Sequence, residues 1–225
     1  MGSLIAKSVL GLLFLVFVLA LALFLSAGTL GFLQAWIYLV VFFVCVLLIT
    51  IYLMINDPAL LSRRVQAGPI AETRKSQQII QSLASVFFLA LFIVPGLDYR
   101  FGWSSVPRVV SLIADGLVAL SLFIVFLVFR ENTFTSAVIE VASEQKVIST
   151  GPYSIVRHPM YAGAFLLLIF TPIALGSWIG VLFALPVILV IVLRLLDEEK
   201  FLAANLPGYE AYRQRVRYRL IPYVW

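Results

Sequence analysis

The chain has 225 residues, of which 63% are hydrophobic and only 12% charged, about half the charged share of an ordinary soluble domain. A mean hydropathy of +1.08 excludes a soluble globular unit, which would lack the polar surface to cover itself. One cysteine, Cys45, and one histidine, His158, exclude an internal disulfide and a His/Cys metal centre, so no metal is expected. The net charge of +5 is explained by basic loops beside a membrane, so no nucleic-acid partner is called for.

A membrane-crossing helix needs roughly 20 apolar residues. The first candidate runs from about Leu4 to Ser26, and the second from about Phe32 to Ile55, with Trp36 and Tyr38 placed as interfacial aromatics. Asn56-Asp57-Pro58 stops that helix, because Pro58 cannot continue it and turns Asp57 away from helical geometry. A basic loop with Arg63, Arg64, Arg74 and Lys75 follows, then a third span from about Ile79 to Val94 that ends at Pro95-Gly96. A loop over 97–107 leads to a fourth span from about Val109 to Phe129, which contains Asp115, an interfacial or substrate-path acid.

The stretch from Arg130 to Pro159 is polar and broken. A fifth span starts at Pro159 or Met160 and ends near Gly176 with Pro172 inside it, and a sixth runs from about Trp178 to Leu196 before a basic tail. Gly176-Ser177-Trp178-Ile179-Gly180 fits a small-residue packing contact. The expectation is an all-α, polytopic membrane protein of about six spans. Residues 1–130 would form a four-helix membrane region on the substrate side, and 131–225 the cofactor-binding and catalytic region. Alternating six spans puts all of the 16 Lys and Arg residues except Arg100 and Arg108 on one side, which the positive-inside rule makes cytoplasmic, together with both termini and the active site.

Two segments carry chemistry. In Gly151-Pro152-Tyr153-Ser154-Ile155-Val156-Arg157-His158-Pro159-Met160-Tyr161-Ala162-Gly163, Gly151-Pro152 is a turn and Pro159 suits the first position of a helix. The free N–H groups and positive dipole end of that helix would seat an anion such as a carboxylate. Gly163 would admit another chain or a ligand close to the first turn. In the second segment Arg194, Asp197 and Glu198 share one helix face, with Glu199 adjoining. Ionisable groups at membrane depth are costly and mark function, although a snorkelling interfacial salt bridge accounts for them equally well.

The ordered set Gly-Pro-Tyr-x-x-x-Arg-His-Pro-x-Tyr-x-Gly, Arg194-x-x-x-Glu198-Glu199, Tyr209-x-x-Tyr212 and Arg219-Leu-Ile-Pro222 resembles the isoprenylcysteine carboxyl methyltransferase family, and more loosely the phospholipid N-methyltransferases. The likeness covers roughly residues 138–222. It implies S-adenosyl-L-methionine bound on the cytoplasmic side, contacted by Gln145, Lys146, Val147, Ile148, Gly151, Tyr153, His158, Tyr161 and Glu198, with Glu140 as a further polar contact. It also implies Arg194 on the substrate side and Arg194 with Glu198 as the catalytic pair. The tail departs from the family pattern at Leu206-Pro207-Gly208-Tyr209, and Asp197 adds an acid beside the Glu pair.

A carboxylate acceptor is already ionised near neutral pH and needs no general base, whereas an amine would make Glu198 or Glu199 a base candidate. The implied partners are a lipophilic small molecule or lipidated substrate and membrane lipids. A phospholipid or other amine N-methyltransferase, a transporter, a scaffold and a membrane reductase are the alternatives. No internal repeat supports a transporter and no Rossmann-type glycine fingerprint supports a reductase. His158 as a plain helix cap, Tyr153 and Tyr161 as interfacial anchors, and Arg213 and Arg215 as headgroup contacts are the structural readings of the same residues.

Overall fold

A computed structural model describes residues 2–65, 75–135 and 145–225, with Ser76 and Gln77 described by backbone alone. These residues are mostly helical, with no strand among them. In chain order the helices are α1 (Gly2–Ala27), α2 (Leu33–Asn56), α3 (Pro58–Val65), α4 (Lys75–Phe101), α5 (Arg108–Glu131), α6 (Pro159–Ala174), α7 (Ile179–Asn205) and α8 (Tyr209–Arg215). A 3-10 turn, Gly151–Ser154, precedes α6. α1, α2, α5, α7 and the Gln78–Phe101 part of α4 are long and apolar enough to span a membrane, and α6 is a shorter apolar helix. The chain is a multi-pass membrane protein. Large apolar side chains such as Leu10, Phe14, Leu48, Val86, Phe123 and Leu189 are exposed along these helices, as lipid-facing positions require.

Asp57 and Pro58 stop α2 as the sequence dictates, and they also start α3. The Asp57 carboxylate accepts the Leu60 N–H at 2.9 Å, and Pro58 takes the first helical position. The eight residues of α3 bury Leu60 and Leu61 against Leu53 and Phe129, with Met160 packed on the same cluster. Arg63 donates to the Thr133 carbonyl, fixing α3 to the chain that leaves α5.

Two helices outrun their expected ends. α4 passes through Pro95-Gly96 to Phe101. A proline costs a helix one N–H and crowds the preceding turn, yet here its ring lies beside Gly180 and close packing keeps the helix continuous. α7 runs on from Leu196 to Asn205, because Asp197-Glu198-Glu199-Lys200-Phe201-Leu202-Ala203-Ala204 holds strong helix formers and no breaker before Pro207. The acidic residues therefore project from a helix and not from a tail.

α1, α2, α5, α6, α7 and α4 pack in a closed circuit in that order, with the α5–α6 and α4–α7 seams most extensive. Small residues set three close approaches. A Cβ on Gly96 would lie 1.9 Å from Ser26 Oγ and 2.8 Å from the Leu23 carbonyl. One on Gly163 would lie 3.1 Å from the Ser121 carbonyl, and one on Gly180 2.7 Å from Pro172 Cβ. Gly163 thus admits α5. Gly180 fulfils the small-residue contact expected of its segment.

Inside the circuit Tyr38 is fully buried, its hydroxyl 3.0 Å from Thr171 Oγ1, so it is a core residue and not an interfacial aromatic; Trp36 is exposed. Asp115 is buried on the inner face of α5 with Ser111 and Ser121, and Ser111 donates to the Ile173 carbonyl at 3.1 Å. At the Phe101 end of the bundle the Asp98 carboxylate accepts Ser104 N–H at 2.6 Å and the hydroxyls of Ser104 and Ser177, tying α4 to the start of α7.

Candidate cofactor and acceptor site

The site begins with a proline. Pro159 opens α6, and His158 before it has φ −126° and ψ 62°, outside the helical region as a residue preceding proline must be. Residues 157 and 158 lie along the tail instead: Arg157 N–H donates to the Tyr218 carbonyl and His158 N–H to the Arg219 carbonyl, both at 2.9 Å. The tail turns at Gly208, whose φ of +84° is the left-handed conformation that glycine adopts without strain, and this turn starts α8.

Glu199 locks this arrangement. It is 4% exposed and accepts Arg157 Nε at 2.7 Å and Arg219 Nε at 2.8 Å, while His158 Nε2 stands 3.6 Å from the same carboxylate. Arg157 Nη1 also donates to the carbonyls of Val216 and Arg217 at 2.9 and 2.8 Å. One carboxylate therefore joins α7, the approach to α6 and the tail. Buried ion pairs persist where their remaining donors are satisfied, as here.

One turn apart, Tyr161 on α6 donates its hydroxyl to Glu198 Oε2 at 2.6 Å. Arg194 stands beside the same hydroxyl, so three predicted site residues from two helices meet at one point. Tyr153 lies within electrostatic reach of Glu198, and its hydroxyl accepts from Asn132 Nδ2 at 3.0 Å. Burial, with Glu198 nearby, pushes the Tyr153 phenol up to about 12. Tyr153 packs on Leu206, Tyr209, Tyr212 and Val216, and the Tyr212 hydroxyl donates to the Tyr153 carbonyl at 2.8 Å. Burial raises the phenols of Tyr209 and Tyr212 as well. The tail tyrosines thus hold the Gly151–Ser154 turn in place, and the altered Leu206-Pro207-Gly208 sequence preserves that contact.

The remaining predicted residues differ in their surroundings. Val147 packs on the α8 cluster, with Gln145 and Ile148 half-buried and Lys146 exposed alongside. Gly151 has φ +54°, and a Cβ there would lie 2.8 Å from Glu131 Oε2. Glu140 lies outside the described residues. His158, although it occupies the N-cap position of α6, makes no side-chain cap bond, and its buried Nε2 has no hydrogen-bond partner among the described residues. Arg213, read as a headgroup contact, pairs with Glu210 at 3.1 Å on the surface of α8.

Arg64 is a member of the cluster that the motifs miss. It reaches from α3 to the start of α6, with Nη1 4.0 Å from Met160 Sδ and its guanidinium carbon 5.2 Å from the Phe129 ring centre. Its sequence signal was only a charge in a basic loop. A cleft of about 140 Å³ lies at the other end of the bundle, lined by Asp98, Tyr99, Ser104 and Gly176, remote from this cluster.

The fold and site thus define a multi-pass membrane protein in which two helices and a folded-back tail assemble a buried polar centre at one end of the bundle. A family model described as phospholipid methyltransferase matches residues 109–207, from the start of α5 to just beyond α7. That family shares a superfamily with the isoprenylcysteine carboxyl methyltransferases that the motifs resemble, and the match indicates a membrane methyltransferase. No curated protein matches the chain.

Proposed function

We propose that the protein is an S-adenosyl-L-methionine-dependent methyltransferase acting on a lipophilic, membrane-embedded acceptor, a carboxylate being favoured. The observation that carries this reading is the convergence of Tyr161, Glu198 and Arg194 where α6 starts and the polar end of α7 passes. The residues fit the cofactor on one further point: the donor set at this place, the Tyr161 phenol, the Glu198 carboxylate and the Arg194 guanidinium, offers both charges that the ammonium and carboxylate of an amino-acid group call for.

When bound, S-adenosyl-L-methionine supplies an electrophilic methyl group. The protein's own part is alignment and electrostatics. Gln145, Lys146, Val147, Ile148, Gly151, Tyr153, His158 and Tyr161 would hold the cofactor, with Glu198 available to its ammonium group. Arg194 would fix the acceptor carboxylate, and no proton has to be removed from it. Glu199 is committed to Arg157 and Arg219, so among the acids of this helix end Glu198 is the one placed for chemistry. Residues 131–225 form the cofactor region in this reading and 1–130 supply most of the acceptor side. Both termini and the site face the cytoplasm, in keeping with the distribution of Lys and Arg.

The family match favours a second reading, methylation of a phospholipid amine, in which Glu198 takes the amine proton. Incubating membranes that contain the protein with methyl-labelled cofactor separates the two. An ester label is released by mild base, and a methylated amine is not. Purified, folded protein that gains no thermal protection from S-adenosylhomocysteine and labels no lipid would overturn both readings.

A further inference from the structure

Arg64 brings a second guanidinium to the point where Arg194 meets Tyr161. Its position follows from local structure upward. The Asp57 cap and Pro58 fix the start of α3, and Leu60 and Leu61 anchor one face of it beside Phe129. Arg63 ties its end to Thr133. Arg64 is thereby directed along the Phe129 ring to Met160, the residue before Tyr161. The groups that act on its charge are Tyr161, Arg194 and Tyr153. Burial and the like charge of Arg194 both weaken its hold on its proton, lowering it from the ordinary arginine value.

Each guanidinium presents five N–H donors in a planar fork that matches the oxygens of a carboxylate or phosphate. Two such forks, one from each half of the chain and set beside the one Glu198 carboxylate, favour an anionic group over a cationic one. We infer that Arg64 and Arg194 together seat an anionic headgroup, carboxylate or phosphate, of the lipophilic acceptor, and that Arg64 is a specificity-determining residue supplied by the membrane half of the protein. This deepens the proposed function and rests on it.

The test compares the intact protein with Arg64→Gln and Arg64→Lys in detergent, using lauric acid, lauryl phosphate and laurylamine as probes that share one tail. Binding is read by native mass spectrometry, and thermal protection by S-adenosylhomocysteine is measured in parallel. The protein should bind the two acids in preference to the amine, and the tighter of the acids identifies the headgroup. Arg64→Gln should weaken acid binding about 10-fold or more, the scale of one lost hydrogen bond to a charged group, while Arg64→Lys recovers part of it and cofactor-product protection is retained in both. Equal binding of laurylamine by the unaltered protein overturns the inference. So does an unchanged acid affinity in Arg64→Gln, or a loss of S-adenosylhomocysteine protection in proportion to the loss of acid binding. Absence of that protection in the unaltered protein would instead refute the cofactor assignment, and the acid-binding comparison would still read Arg64 directly.

Discussion

The Tyr161 hydroxyl donates to Glu198 at 2.6 Å, joining the first turn of α6 to the polar end of α7 across 37 positions of sequence. Next to it the Glu199 carboxylate is enclosed by Arg157 and Arg219. Two adjacent glutamates on one helix therefore have different employments: Glu198 faces the phenol and arginine of the proposed reaction centre, and Glu199 holds the surrounding chain together.

Loss of the phenol hydroxyl should expose that division. Tyr161→Phe keeps the ring and its packing but frees Glu198, and turnover is expected to fall about 10- to 100-fold, the range for one hydrogen bond to a charged group. Glu198→Gln should abolish turnover while the unfolding temperature changes little. A Tyr161→Phe enzyme with unaltered kcat would remove Tyr161 from the reaction centre.

Glu199→Gln acts on stability. It leaves the Arg157 and Arg219 guanidiniums without their common carboxylate, and breaking a buried pair costs about 3–5 kcal/mol. The tail should detach from α6, which limited proteolysis will detect as cleavage after Arg213 to Arg219 well below the global unfolding temperature. An unchanged digestion pattern would show that other contacts hold the tail.

Arg194→Ala should separate cofactor from acceptor. Methyl transfer is expected to disappear while thermal protection by S-adenosylhomocysteine persists, because Arg194 is assigned to the acceptor side. Parallel loss of both would move Arg194 to the cofactor side.

The α1–α4 seam makes a purely structural prediction. Gly96→Ala places a Cβ against Ser26 Oγ and the Leu23 carbonyl, and overpacking of this kind costs about 1–3 kcal/mol. Adding Ser26→Ala removes the hydroxyl but not the backbone contact, so the double variant should recover part of the lost unfolding temperature and not all of it.

Alkaline pH should loosen the tail. The folded Tyr153 phenol is raised from 10.0 to about 12 by burial, so between those values the unfolded chain releases a proton that the folded chain retains. Stability from this group is full below pH 10 and declines as pH rises toward 12. Tyr153→Phe should flatten that part of the unfolding-temperature profile measured in detergent; an equally steep profile in the variant would assign the decline to other groups.

Composition and hydropathy alone determined that this chain inhabits a membrane, because no arrangement of so apolar a sequence could be covered in water. The positions of the spans were legible for the same reason, and so was the helix start at Pro159, since a proline fixes its own backbone angle whatever surrounds it. Local motifs also marked His158, Tyr161, Arg194 and Glu198 as a set. Sequence could not reveal that α4 continues past Pro95, since that depends on Gly180 accommodating the ring from another helix. Nor could it divide the labour of Glu198 and Glu199. Neighbours in sequence, they point to different partners because helical periodicity rotates one toward Tyr161 and the other toward Arg157 and Arg219. Arg64 shows the same limit: a charge in a basic loop becomes a neighbour of Arg194 only once Asp57 starts α3 and Leu60 and Leu61 pin it to Phe129. Such long-range encounters depend on how helices pack, and packing is a property of the whole bundle, written in no single segment.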